Sequence, residues 1–384
     1  MAVSKKNARN NAYKLKGKLR KDGFDRWRFF FNGQSKTSGE ERCFYIELYI
    51  LNPLVSPSAE FFGFKPEETE TESLQNVLAS TSDESADSKQ PSYVAVRAGE
   101  LGRICKQVNS FYPAKDLLLN KKKFGIKLGN CVFSDTSLQG AVSLDTESKL
   151  RHCEYFSDSG SFSWDIKYEK QIDFETPYLD KSFNWSTTGT RTLYSGTFTA
   201  DGEEFTVLPK PSAGYADKNW GSNFPLPWFY VASSNLTSII TGKTLSRSCF
   251  AIEGCFSNKL CAYTSIEGNK LSFIPGKAFH TYSVTWECTE APADEEGKKL
   301  HWSASIHDKH FIIDIDIFCK TDELFVRDYE IPDGHQKLFK VLSGGTGTGE
   351  IRFYKNVNRS IELIEHAHIS HALCEYGAEE KQVK

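Results

Sequence analysis

Apolar and polar residues alternate along several stretches of the chain. Between Phe44 and Ile50, apolar side chains occupy every second position. The same period of two recurs from Phe162 to Tyr168, from Tyr282 to Cys288 and from Phe311 to Ile317. Because successive side chains of a β-strand point to opposite faces, each of these stretches predicts a strand.

The pattern favours strands almost throughout. Turns containing Gly, Asn, Asp and Ser separate the alternating stretches, and no long stretch has the spacing of an amphipathic helix. Many strands without alternating helices are typical of antiparallel barrels and sandwiches. The sequence therefore predicts an all-β fold, and its 384 residues are enough for two β-barrel halves packed together.

One segment differs in composition from the rest. Residues 56–92 are rich in Ser, Thr, Glu, Asp and Pro, and their eight acidic residues are opposed only by Lys65 and Lys89. Such a composition offers little apolar surface for a core, so we predict a disordered acidic insertion. The chain then divides into an N-terminal half at 13–209, which carries the insertion, and a C-terminal half at 210–384.

Charge and cysteine content narrow the class of protein. The chain has 47 basic and 50 acidic residues, so no overall field attracts nucleic acid. No apolar run reaches the roughly 18 residues of a membrane-spanning helix, and ten scattered cysteines without zinc-ligand spacing indicate reduced thiols of a cytoplasmic protein. The basic start of the chain favours a solvated, frayed terminus, with peripheral contact to an anionic membrane as the alternative.

Two motifs suggest a metal site and a phosphate site, but neither has the residue pattern that such a site requires. His366 and His368 share one face of a strand, whereas His371 has the opposite parity, so a regular strand cannot direct all three at one metal ion. The glycine-rich segment 343–349 lacks the Gly-Lys-Ser/Thr ending of a phosphate loop and predicts a flexible turn. We therefore predict no metal and no phosphate cofactor at either motif.

Residues 211–230 form the densest group of polar and aromatic side chains. Glycines and prolines at this density predict an irregular backbone that holds Asp217, Lys218 and Asn219 beside an aromatic wall. In such an apolar site the pKa of a carboxyl group rises, so the group can donate a proton near neutral pH. The alternative is an ordinary ion pair of Asp217 and Lys218 in a turn, with the aromatic rings filling a core.

The order of residues in this segment resembles the signature of the tocopherol cyclase family. In that family an acidic residue precedes Lys-Asn-Trp-Gly, and a Phe-Pro and a Trp-Phe follow; here the matching residues are 215–225 and 227–231. Weaker matches flank this segment in the expected order, and together they span most of the chain: residues 23–29, 43–53, 349–354 and 375–377.

The resemblance implies two lipocalin-like β-barrel halves and chemistry without a metal or redox cofactor. In tocopherol cyclases an acid protonates the prenyl double bond of a hydroquinone, and the phenolic oxygen captures the tertiary cation. Carried onto this sequence, Asp217 is the candidate acid, while Lys218 and Asn219 orient the carboxyl group or the phenol. The candidate substrate-binding residues are Trp27, Trp164, Tyr215, Trp220, Phe224, Trp228, Tyr230 and Glu253.

Glu253 is a second candidate acid or hydrogen-bond acceptor, because it interrupts the apolar run from Cys249 to Cys255. A solvated or ion-paired glutamate is the alternative for this position. The function predicted from these residues and the resemblance is an acid-catalysed cyclase that acts on a prenylated quinol or another isoprenoid in an apolar cavity. The alternative is a carrier that binds a prenyl lipid without chemistry.

Overall fold

Strands dominate the molecule. The computed structural model describes residues 5–55, 90–120, 123–210, 212–256, 259–276, 281–333, 338–357 and 360–378. These residues contain 24 strands and two short α-helices, α1 (Lys5–Asn11) and α2 (Thr146–Arg151). Four single 3₁₀ turns complete the list of helical elements: Gly17–Arg20, Ala114–Asp116, Cys153–Tyr155 and Thr321–Glu323. The predicted all-β class is confirmed.

The strands form two large antiparallel sheets. The first sheet contains β1 (Phe24–Ser35), β2 (Glu41–Leu51), β3 (Tyr93–Leu101), β4 (Lys106–Tyr112), β5 (Leu118–Leu119), β6 (Gly125–Leu128), β7 (Cys131–Ser134), β8 (Ser137–Leu144), β9 (Gly160–Ile172), β10 (Tyr178–Leu179), β11 (Phe183–Ala200), β12 (Glu203–Val207) and β13 (Gly214–Gly221). Its order is β4-β3-β2-β1-β12-β11-β9-β8-β7-β6-β5; β13 pairs with β1 and β11, and β10 pairs with β11.

The second sheet contains β14 (Trp228–Ser233), β15 (Asn235–Ser238), β16 (Cys249–Phe256), β17 (Lys259–Ile266), β18 (Asn269–Phe273), β19 (Ser283–Asp294), β20 (Gly297–His307), β21 (Phe311–Lys320), β22 (Phe325–Glu330), β23 (Leu338–Val357) and β24 (Ser360–Gly377). Its order is β18-β17-β16-β14-β24-β23-β21-β20-β19, with β15 on β24 and β22 on β23. The four alternating stretches of the sequence lie in β2, β9, β19 and β21, as predicted.

Each sheet encloses a core of its own, and a third apolar layer lies between the two sheets. We call this third layer the inter-sheet layer. In β2, Phe44 and Ile46 point into the first core, whereas Tyr45 and Tyr49 point into the inter-sheet layer. Because both faces of such a strand are buried, its sequence is almost continuously apolar, and a single charge in it stands out.

The glycine-rich segment 343–349 lies inside β23, so the predicted flexible turn is wrong. A Cβ atom on Gly345 would lie 2.7 Å from Cys43 Sγ and 2.9 Å from Leu101 Cδ1, both in the first sheet. The absence of a side chain therefore allows the two sheets to approach each other at this point.

The chain changes sheets after Gly221. Strand β13 is hydrogen-bonded to β1 and β11 of the first sheet, and β14 opens the second sheet at Trp228. The predicted boundary between residues 209 and 210 therefore lies before the last strand of the first sheet. The division into two domains stays a prediction.

The predicted insertion falls between two neighbouring strands. Residues 56–89, most of the segment 56–92, lie outside the described residues. Leu51, at the end of β2, pairs with Tyr93, at the start of β3. Strands β2 and β3 are therefore direct neighbours in the sheet.

The N-terminal residues pack against the first sheet. Asn11 and Leu15 are each only 1% exposed, Trp27 Nε1 donates a hydrogen bond to the Asn11 carbonyl at 2.9 Å, and Asn11 Nδ2 donates to Asp135 Oδ1 at 2.9 Å. The expected frayed terminus is therefore wrong from Asn11 onward. Among the described residues, no helix has the length and apolarity that crossing a membrane requires.

Candidate functional site

Charged side chains lie in the inter-sheet layer, where both sheets exclude water. They lie on β1, β2, β3, β13, β16, β22 and β24. In each case a residue two places away in the same strand also points into the inter-sheet layer. Each is at most 3% exposed: Arg26, Arg28, Glu47, Arg97, Asp217, Glu253, Arg327 and Glu375. A buried charge is costly unless it is paired, so the partners of each group decide its protonation state.

Arg28 is the centre of the group. Its Nε donates to Asp217 Oδ1 at 2.8 Å, and its Nη2 reaches Asp217 Oδ2 at 2.5 Å and Glu253 Oε2 at 2.6 Å. Its Nη1 donates to Glu375 Oε2 at 3.0 Å, and the guanidinium carbon lies 4.6 Å from the centre of the Tyr230 ring. One positive charge therefore faces three carboxyl groups, which we call the carboxyl triad.

Asp217 is the most strongly bonded member of the carboxyl triad. Besides the two bonds from Arg28, its Oδ2 accepts hydrogen bonds from Trp185 Nε1 and from the Tyr215 hydroxyl, both at 3.1 Å. Asp217 therefore accepts four hydrogen bonds from three side chains, which fix the position of its carboxyl group.

Glu253 has fewer donors and lies among like charges. It accepts one hydrogen bond from Arg28 and one from Asn219 Nδ2. Burial raises the pKa of Glu253 well above its usual range, and the negative charges of Asp217 and Glu375 raise it further against the opposing effect of Arg28. Burial and like charge therefore favour the protonated form of Glu253.

Glu47 shows the opposite behaviour at the same depth. Burial acts to raise the pKa of Glu47, but Arg327 and Arg97 outweigh it, so the pKa lies below the usual range. Arg327 Nη2 donates to Glu47 at 2.9 Å and Arg97 Nη1 at 3.3 Å, while the Tyr329 hydroxyl donates at 2.7 Å. Two guanidinium groups on Glu47 favour its charge, whereas Glu253 shares the Arg28 guanidinium with two other carboxyl groups.

Arg26 lies next to the carboxyl triad and is held by an amide and by rings. Its Nε and Nη2 donate to Asn219 Oδ1 at 3.2 and 2.7 Å. Its guanidinium carbon lies 5.0 Å from the Phe224 ring centre, 5.8 Å from Trp228 and 4.8 Å from Tyr329. Such contacts stabilise a cation in an apolar layer.

Several buried polar atoms of the inter-sheet layer have no hydrogen-bond partner among the described residues, and two of them lie beside Asn219 and Glu253. These two are Arg26 Nη1 and the hydroxyl of Tyr230. Tyr230 pairs with Glu253 on one neighbouring strand and with Glu375 on the other. Because buried polar groups are rarely left unpaired, these two donors are available to a ligand or to water.

The sequence-predicted residues separate into two sets. The structure brings Tyr215, Asp217, Asn219, Phe224, Trp228, Tyr230 and Glu253 together in or beside the inter-sheet layer. Phe224 stacks on Phe24 and Phe339, with ring centres 4.2 and 4.3 Å apart. These side chains fill the layer, and a cavity of about 20 Å³, the room of about one water molecule, reaches Tyr215.

Lys218 belongs to the second set, whose members lie away from the carboxyl triad. Its side chain does not lie beside that of Asp217. The segment predicted to be irregular is the regular strand β13, so Lys218 points to the opposite face, where its Nζ is hydrogen-bonded to Asp25 and lies 3.2 Å from the centre of the Trp27 ring. Burial lowers the pKa of Lys218 to about 7, against the opposing effect of Asp25. The predicted role of Lys218 in orienting Asp217 disagrees with this placement.

The remaining tryptophans also lie away from the carboxyl triad. Trp27 and Trp164 are part of the first core. Trp220 lies on the Lys218 face of β13, with its ring centre 5.9 Å from Lys218 Nζ. The sheet separates these three side chains from the carboxyl triad, and their predicted role in substrate binding stays a prediction.

Sequence reasoning missed the partners that define the site. Arg28 and Glu375 hold the carboxyl triad together with Asp217 and Glu253, and Trp185 completes the bonds of Asp217. A signal was present, because each charge has apolar neighbours in the sequence, as Arg28 does in Trp-Arg-Phe and Glu375 in Leu-Cys-Glu-Tyr. Such isolated charges on doubly buried strands point to pairing across a layer.

The histidines of β24 have separate partners. His366 Nε2 lies 2.8 Å from Glu350 Oε2, and His371 Nε2 lies 3.4 Å from Glu41 Oε1. Within the part of the chain that the structure describes, no three His, Cys, Asp or Glu side chains are grouped so that they could hold a metal ion.

The fold and the site define the class of protein: two antiparallel sheets that enclose a group of buried carboxyl and guanidinium side chains.

No family model and no curated protein matches the sequence. Among solved structures, a protein assigned as AttH from Nitrosomonas europaea is 10% identical, with 91% of both chains covered and a TM-score of 0.44. Kievitone hydratase from Nectria haematococca is 12% identical, with 96% of this chain and 95% of that chain covered and a TM-score of 0.43. Similarities this weak carry no argument, and the resemblance to tocopherol cyclases stays a prediction.

Proposed function

We propose that this protein is an acid catalyst of the cyclase or lyase type that acts on an isoprenoid. The observation that carries the proposal is the carboxyl triad on Arg28, in which burial and like charge raise the pKa of Glu253. Protonation of an alkene needs an undissociated acid in a site that excludes water. Glu253 is fully buried, and its raised pKa favours the undissociated form.

In this proposal the proton donor is Glu253, whereas the sequence predicted Asp217. Glu253 transfers its proton to the less substituted carbon of a double bond, which leaves a tertiary cation and the Glu253 carboxylate. The negative charges of the carboxyl triad and the ring faces of Trp228 and Tyr230 stabilise that cation. A phenolic oxygen of the same substrate captures the cation, and the phenolic proton returns to Glu253.

The substrate follows from this chemistry and from the surroundings. A prenylated quinol, the substrate that the family resemblance implies, offers an apolar tail to the aromatic side chains and an oxygen to the unpaired Tyr230 hydroxyl. Because side chains fill the inter-sheet layer, the proposal requires that they move apart when the substrate enters.

Product analysis in deuterated water tests the proposal. Incubation with prenylated quinols is expected to give a cyclised product with one deuterium on the carbon that received the proton, detected by mass spectrometry and NMR. The deuterium marks the transfer from an exchangeable acid, which a spontaneous oxidation does not produce. Unchanged quinol without deuterium, at a concentration that saturates the protein, would contradict the proposal.

A second candidate function is a non-catalytic carrier of a prenyl lipid. The four hydrogen bonds that fix Asp217 favour it, since they tie up the carboxyl group that the family resemblance assigns as the acid. The same experiment separates the two functions. A carrier returns one equivalent of unchanged, undeuterated quinol per chain after gel filtration, whereas a catalyst returns product.

A further inference from the structure

A surface pocket opens between β4, the segment that follows α2, and β22. Its volume is about 590 Å³, and its lining combines apolar side chains, among them Leu150, Phe156, Phe325 and Val326, with Gln107 and the charged Lys149, Asp158 and Asp328. We call it the rim pocket. Small-molecule sites in proteins have volumes of roughly 300–1,000 Å³ and combine apolar walls with a few polar groups. The rim pocket has both the size and this composition.

Large apolar side chains around the rim pocket face water. Leu150 is 79% exposed, Val326 is 54% exposed and Phe156 is 38% exposed. Exposed apolar surface costs about 25 cal/mol per Å² relative to burial, and a concave group of such side chains marks a binding site more often than a single exposed residue does. A ligand with an apolar body would cover all three.

The backbone at Phe156 is held in an unusual conformation. Its φ and ψ are 46° and 47°, in the left-handed region that a bulky aromatic residue rarely adopts. Asn109 Nδ2 donates a hydrogen bond to the Phe156 carbonyl at 3.1 Å, which fixes this conformation. Strained residues of this kind concentrate where a protein positions a side chain for binding.

A buried amide is one of the polar groups that line the rim pocket. Gln107 is 4% exposed, and its Oε1 accepts hydrogen bonds from the Tyr45 hydroxyl at 2.6 Å and from Arg327 Nε at 3.1 Å. Its Nε2 makes one long bond of 3.5 Å to the Phe156 carbonyl, so one N–H remains for a ligand. Through Arg327, which lies 3.7 Å from Glu375, the rim pocket connects to the charges of the inter-sheet layer.

We propose that the rim pocket binds a small apolar molecule that carries one hydroxyl or carbonyl group. The apolar body covers Leu150, Phe156 and Val326, and the oxygen of the ligand accepts a hydrogen bond from Gln107 Nε2. This inference goes beyond the proposed function, because it concerns binding and does not require that Glu253 donate a proton.

Titration with 1-naphthol, followed by its fluorescence, tests the proposal without any measurement of turnover. The wild-type chain is expected to bind one equivalent, and Leu150→Asp and Val326→Asp are each expected to weaken binding about tenfold or more, since a charge replaces an apolar contact. Leu179→Asp is the matched control, because Leu179 is 64% exposed and does not line the rim pocket. All three positions are exposed, so each variant should fold.

A second readout locates the bound probe. Cys153 is exposed and lines the rim pocket, so 1-naphthol should slow its alkylation by iodoacetamide, measured by peptide mass spectrometry. Three outcomes would each overturn the proposal: no saturable binding by the wild-type chain, equal weakening by Leu179→Asp and Leu150→Asp, or alkylation of Cys153 that is unaffected by the probe.

Discussion

The Glu253→Gln variant is expected to lose turnover of a prenylated quinol by a factor of about 10² to 10⁴, the usual contribution of a general acid. Glutamine has the shape of a protonated glutamate, and its carbonyl oxygen can still accept the hydrogen bond from Asn219. The amide has no proton to give to an alkene. The variant should therefore keep its fold and its affinity for the quinol while kcat falls.

Glu330→Gln is the matched control for this variant. Glu330 is also buried, and burial raises its pKa to about 8, but it lies outside the carboxyl triad. The same exchange at that position should leave turnover unchanged. Wild-type turnover should also fall as the pH rises through the pKa of Glu253, because only the protonated form donates. If Glu253→Gln is fully active and Asp217→Asn is inactive, the acid is Asp217 and not Glu253.

Replacing Arg28 by Met is expected to lower the free energy of unfolding by about 3–5 kcal/mol, the effect of removing one partner from a buried ion pair. Methionine fills much of the same space, but it leaves Asp217, Glu253 and Glu375 without their shared cation. Arg151→Met is the control, because the Arg151 side chain is 71% exposed in its pair with Glu147. An exposed pair of this kind contributes about 0–1 kcal/mol.

The loss in Arg28→Met should depend on pH in a defined direction. Without the guanidinium, the pKa of Glu253 rises further in the folded state, because Arg28 no longer opposes the effects of burial and like charge. When the pKa of a group is higher in the folded state than in the unfolded state, the group contributes stability at low pH, and this contribution is lost as the pH rises. The difference from the wild-type chain, measured by urea unfolding, should therefore be larger at pH 8 than at pH 5. A loss as small as that of Arg151→Met, or one independent of pH, would contradict the central position of Arg28.

Much of the fold could be predicted because strand periodicity is local. The alternation in residues 44–50 and 311–317 depends only on neighbouring residues, and both stretches are strands. The turn predicted at 343–349 failed for a physical reason: glycines there relieve close contact between packed sheets, and that contact involves Cys43 and Leu101. Composition alone cannot distinguish a glycine that bends the chain from one that lets another strand approach.

The site could be predicted only in part, because its contacts connect distant parts of the chain. Arg28 lies 189 positions from Asp217 and 347 positions from Glu375, so no spacing rule joins them. The placement of Lys218 could have been derived, since adjacent residues of a strand face opposite ways. The prolines at 225 and 227 suggested an irregular backbone, but they belong to the connection after β13.

The central claim, that Glu253 is a protonated acid beside Arg28 at neutral pH, is tested most directly by infrared difference spectroscopy. Spectra of the wild-type chain and of Glu253→Gln are recorded in deuterated buffer at neutral pH, with Glu330→Gln as the reference for a second buried carboxyl group. We predict that the subtraction shows the carbonyl band of one undissociated carboxyl group, present in the wild-type chain and lost in Glu253→Gln. A subtraction that shows only the loss of carboxylate bands would contradict the claim.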